Sequence, residues 1–66
     1  MKKFEYKQVD LKFNSGKTFI EVLNQEGENG WEFVSKENLE EKSKEGDFSY
    51  FRITGIKIIF KREKID

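Results

Sequence analysis

The chain has 66 residues, 13 Lys+Arg against 13 Asp+Glu, no histidine and no cysteine. Those counts exclude a disulfide, a thiolate metal site and zinc of the Cys/His type, and a net charge of zero argues against a simple polyanion binder. A single domain of this length, residues 1–66, buries only about 60% of the surface its unfolded chain exposes.

A scaffold this small depends on dense aromatic packing or on self-association. The 7 Phe, 2 Tyr and 1 Trp offer the first, and the absence of proline leaves long strands unobstructed. No apolar run approaches the roughly 20 residues that span a bilayer. Met1-Lys2-Lys3 is basic, but alternation follows it instead of an apolar signal core. The expectation is a soluble, cytoplasmic protein. Charge is uneven along the chain: both ends carry an excess of lysine and arginine, and the middle, Thr18 to Asp47, is strongly acidic.

Lys3 to Phe13 is the first predicted strand. Phe4 and Tyr6 fall on one face, and Val9, Leu11 and Phe13 on the other. Period-two geometry then requires either a bulge near Gln8 or a strand covered on both faces. Asn14-Ser15-Gly16 is a turn cluster in which Asn14 or Ser15 is placed to cap a helix. Lys17 to Asn29 reads as that helix, with Phe19, Ile20, Val22 and Leu23 on its buried face. Gly27 and Gly30 are both available as stops. Gly30 is preferred, because a strand signal begins directly after it and glycine accepts the left-handed conformation of a helix terminus.

Trp31 to Leu39 is the second predicted strand, with Trp31 and Phe33 on one face and Glu32 and Val34 on the other. Glu40 to Asp47 reads as a charged, mobile loop. Phe48 to Arg62 is the longest strand signal, with Thr54-Gly55 marking a bulge or twist. Ile56, Ile58 and Phe60 alternate toward one face, and Ile53, Lys57, Ile59 and Lys61 toward the other. Lys64 to Asp66 is a tail. The predicted fold is α+β, ordered β-α-β-β: a three-stranded antiparallel sheet in the order 2-3-1 with one helix packed on one face. Phe19, Leu23, Trp31, Phe33, Ile56, Ile58 and Phe60 form the predicted core.

Phe4-Glu5-Tyr6-Lys7, Leu23-Asn24, Glu28-Asn29-Gly30-Trp31-Glu32-Phe33-Val34 and Phe60-Lys61-Arg62 together resemble a small bacterial and phage family, domain of unknown function 4177. The resemblance runs over nearly the whole chain and implies the same element order, but no activity. Gln8 departs from the aliphatic residue usual in that pattern, and the proline that often follows Phe-Lys-Arg is missing.

Functional signals are sparse. Gly30-Trp31 is better explained as a cap and a core aromatic than as a ligand platform. Glu5 and Glu32 would be an acid–base pair only if the fold brought them together, and Ser15, Ser35, Ser43 and Ser49 have no histidine partner. The expectation is no enzyme activity, no cofactor and no metal. Lys3, Lys7 and Lys12 beside Lys57, Lys61 and Arg62 would make a basic, aromatic-interleaved surface for single-stranded nucleic acid. The competing explanation is edge protection. One helix covers only one sheet face, so the expected working surface is the other. Phe4, Tyr6, Ile53, Lys57 and Ile59 are the candidate interface, facing a second copy or another protein.

Overall fold

The computed structural model describes residues 1–65; Asp66, the end of the expected tail, lies outside the described residues. The elements are β1 (Phe4–Lys12), a 3-10 turn (Phe13–Ser15), α1 (Phe19–Glu28), β2 (Glu32–Glu45) and β3 (Phe48–Glu63). They form an α+β fold whose antiparallel sheet has the order β1-β3-β2. The third strand is central, as its apolar content predicts.

β1 pairs with β3 without interruption from Phe4 opposite Glu63 to Lys12 opposite Gly55. The bulge considered near Gln8 is absent, and the strand carries apolar groups on both faces without being covered on both: Tyr6, on the face away from the helix, is 63% exposed. Val9 and Leu11 point to the helix side and share it with Glu5 and Lys7. Phe4, Tyr6, Gln8 and Asp10 point the other way.

α1 is shorter than predicted, and its cap is different. Thr18 is the N-cap: its hydroxyl accepts from the Glu21 amide at 3.2 Å, and the Glu21 carboxylate accepts from the Thr18 amide at 3.2 Å. This reciprocal capping box satisfies two free donors, which neither Asn14 nor Ser15 is placed to do from the 3-10 turn. The C-terminus is a Schellman motif. Gly30 has φ +83° and donates to Gly27, and Trp31 donates to Glu26, both at 3.0 Å. Gly30 is therefore the helix stop.

Val22 from α1 packs against Leu11, Ile58 and Phe60 to form the buried core, and Val9, Phe19, Leu23, Trp31 and Ile56 surround it. Ile58 and Phe60 are the largest fully buried side chains, and each contributes about 1.5–3 kcal/mol by leaving water. Two expectations are corrected. Ile20 is 59% exposed, because Val22 occupies the centre of the buried stripe. Phe33 is 43% exposed and lies at the rim, edge-on to Phe19 at 5.8 Å between ring centres.

The largest correction is the hairpin. Glu40 to Asp47 is not a loop; β2 runs on to Glu45, and only Gly46-Asp47 turns. Gly46, with φ +61°, takes the positive-φ position of a two-residue hairpin loop. The lysines and glutamates of Glu40–Glu45 are the solvated side chains of a strand, a pattern compositional reading takes for a loop. β1 ends opposite Gly55, so β2 and β3 project beyond the helix and the three-stranded region as a two-stranded arm. The molecule is accordingly elongated, 52 × 27 × 15 Å.

Two irregularities set the phase of the sheet. Val34 is skipped between the pairs Phe33–Phe60 and Ser35–Ile59, and Thr54 is skipped between Leu39–Gly55 and Glu40–Ile53. The second fulfils the expectation of a bulge at Thr54-Gly55. At Gly55 a Cβ would run into the Leu11 carbonyl and stand 2.8 Å from the Lys12 Cα, so only glycine lets β1 cross there. Gly55→Ala should therefore lower unfolding free energy by about 2–3 kcal/mol through overpacking. Gly30→Ala should lower it by about 1 kcal/mol through positive φ. Urea unfolding followed by Trp31 fluorescence measures both, and Gly55→Ala should have the lower midpoint.

Candidate functional site

Three surfaces carry polar chemistry or exposed apolar groups: the end of α1, the sheet face opposite the helix, and the arm.

At the end of α1, Trp31 is the centre. The Lys7 ammonium lies 4.9 Å and the Arg62 guanidinium 4.3 Å from the indole centre. Lys7 also pairs with the Glu26 carboxylate, and Arg62 donates to Glu5 at 2.5 Å and to the Asn29 carbonyl at 3.3 Å. The last turn of α1 has no basic residue, while Glu26 and Glu28 stand where the helix dipole is already negative. Lys7 and Arg62 supply the missing cations from the sheet. Each cation–π contact is worth about 0.5–1 kcal/mol at exposed sites and more when desolvated. The functional groups in this cluster are thus engaged with one another. The adjoining cleft, about 420 Å³, is lined by Glu5, Asn29, Gly30, Arg62, Glu63 and Ile65.

Sequence reasoning placed Trp31 in a structural role but missed Lys7, Glu26 and Arg62 as its partners. The available signal was a charged residue, Lys7, in phase with Val9 and Leu11 on the buried side of β1. Glu5 and Glu32 do not meet. Glu5 faces the helix side opposite Arg62, and Glu32 is paired with Lys61 on the open face.

The open face carries four of the five candidate interface residues, Phe4, Tyr6, Lys57 and Ile59. Tyr6 is 63% exposed, and Lys61 lies 5.0 Å from the Phe4 ring centre. Ile53 is not part of this face. The bulge at Thr54 resets the alternation, so Ile53 sits opposite Glu40, in phase with Ile56 and Asn38. Nor do the basic residues form one patch. Lys7 and Arg62 are on the helix side, Lys12 pairs with Glu41 at 3.2 Å, and Lys57 lies between Asp10 and Glu37 across the strands.

The arm was not singled out by sequence reasoning. Phe48, Tyr50, Phe51 and Ile53 are all exposed, Phe48 by 79% and Phe51 by 70%. Beside its base is a cleft of about 270 Å³ between Phe13, Glu41, Arg52 and Thr54. Among the described residues no group of His, Cys, Asp or Glu is arranged to hold a metal ion, and no helix is long and apolar enough to cross a membrane.

Replacing Arg62 by Lys keeps the charge but removes the planar fork that bridges Glu5, Asn29 and Trp31. Arg62→Lys should cost about 1 kcal/mol and Arg62→Ala about 2 kcal/mol in urea unfolding. Equal stability of all three chains would remove Arg62 from the cluster's energetics.

No curated protein and no solved structure matches the chain. A family model, domain of unknown function (DUF4177), matches residues 4–63. The chain, whose Glu5-Tyr6-Lys7, Gly30-Trp31-Glu32 and Phe60-Lys61-Arg62 segments converge on the end of α1, belongs to this DUF4177 family.

Proposed function

We propose that this chain is a small, non-catalytic binding protein that self-associates, with the open face of its sheet as the working surface. The observation that carries the reading is the set Phe4, Tyr6 and Ile59 on a face with no covering element, in a chain too small to leave apolar surface idle without cost. On the sheet's other side, Glu5, Lys7 and Arg62 are already engaged with one another, with Trp31 and with the end of α1. A second copy is the simplest occupant, because a neutral chain has no monopole to hold copies apart. A different protein partner would use the same residues. The family setting fits an intracellular accessory protein of a bacterium or phage.

The alternative is single-stranded nucleic acid on the basic strands. It is the weaker reading, since Lys57 and Lys61 have carboxylates as cross-strand neighbours, Lys7 and Arg62 are engaged on the helix side and Lys12 pairs with Glu41. A polyanion approaching those lysines would also meet the neighbouring carboxylates.

Sedimentation at micromolar concentration tests the main reading. The wild-type chain should exceed monomer mass, and Tyr6→Asp with Ile59→Asp should weaken self-association by about tenfold or more, since a buried unpaired carboxylate costs more than 1.4 kcal/mol. An unchanged mass would overturn the open-face reading. Salt-dependent retention of an oligonucleotide that is lost in Lys57→Glu with Lys61→Glu would instead favour the alternative.

A further inference from the structure

The two edges of the arm are built differently. The β2 edge carries Glu40, Glu41, Lys42, Lys44 and Glu45, the charge pattern that keeps edge strands from pairing with other chains. The β3 edge has no such protection. β1 stops at Gly55, so β3 from Phe48 to Arg52 has a strand on one side only, and its unpaired backbone runs beside Phe48, Tyr50 and Phe51. Arg52 is the one charge within that stretch. An exposed aromatic edge next to a guarded one marks the side from which a strand is admitted.

We propose that the free edge of β3 over Phe48–Arg52 docks the same segment of a second copy, the two arms pairing antiparallel about a two-fold axis into one continuous sheet. The charges at the two ends of the edge select this occupant. Asp47 stands at the tip and Arg52 toward the base, so antiparallel pairing brings each Arg52 toward the Asp47 of the other copy. Parallel pairing would set like charges side by side. The arm as a whole, Glu40 to Ile53, carries four acids against three bases, so it offers no strong field to a highly charged partner. A two-fold contact closes on itself and leaves no repeating edge, and each copy gains backbone hydrogen bonds as well as apolar burial. The contact rests on the self-association proposed above but uses a different surface, and it survives if the open face fails.

The cysteine-free sequence makes the test direct. Single-cysteine chains Tyr50→Cys and Ile59→Cys are oxidised at micromolar concentration, and the mass of Phe51→Lys is measured by light scattering, with circular dichroism to check its fold. A disulfide-linked dimer from Tyr50→Cys and loss of self-association by about tenfold in folded Phe51→Lys support the arm contact, whether or not Ile59→Cys cross-links through the open face. If Tyr50→Cys does not cross-link and folded Phe51→Lys keeps the wild-type mass, the arm contact is overturned while the open-face reading stands, the more so if Ile59→Cys cross-links. A wild-type chain that stays monomeric at about 100 μM, a concentration at which specific dimers persist, overturns both. If Phe51→Lys fails to fold, Ser49→Lys on the same edge takes its place, with the same expected and contrary results.

Discussion

The interaction on which the structure depends is the docking of the α1 terminus through Trp31. A ten-residue helix ends against the sheet with two glutamates in its last turn and no cation of its own. Isolated helices of that length are marginal in water, so α1 exists because its apolar stripe and its terminus are both held. Gly30 turns the chain in the left-handed region, the Schellman bonds close the last carbonyls, and Trp31 is delivered against the buried cluster of Leu11, Val22, Ile58 and Phe60. Lys7 from β1 and Arg62 from β3 then stack on the indole and neutralise Glu26 and Glu5. Strands from both ends of the sheet sequence meet the helix at one point.

The same contacts join residues from distant parts of the chain. Glu5 and Lys7, Gly30 and Trp31, and Arg62 are far apart in sequence and contiguous in space. Their spacing is what a β-α-β-β chain needs to fasten a short helix without disulfide or metal. A pattern of this kind reports the fold.

Much of the architecture is legible in the residues. The alternation Ile56, Ile58, Phe60 places the central strand, Gly30 before Trp31 marks the end of the helix, and Thr54-Gly55 marks the bulge. What was not legible has specific causes. Glu40–Glu45 is charged on every position but one, so neither periodicity nor propensity separates an exposed edge strand from a loop; its partner, β3, decides it. Ile53 was assigned to the open face by counting in twos, and the unpaired Thr54 breaks that count. Asn14 and Ser15 looked like caps because the Thr18–Glu21 box lies inside the predicted helix rather than before it. The candidate interface was legible for Phe4, Tyr6, Lys57 and Ile59 as a shared face, whereas the arm's aromatics read only as part of the long third-strand signal, with no surface assigned to them. Strand length, which sequence left short, is what exposes them.

The central claim is that Trp31 and Arg62 act together to hold α1 to the sheet. The measurement that tests it most directly is a double-mutant cycle in urea unfolding, with Trp31→Leu, Arg62→Ala and the pair. Leucine keeps apolar bulk but offers no π face. A favourable coupling of about 0.5–1.5 kcal/mol between the two positions is expected. Additive losses, with coupling indistinguishable from zero, would contradict it.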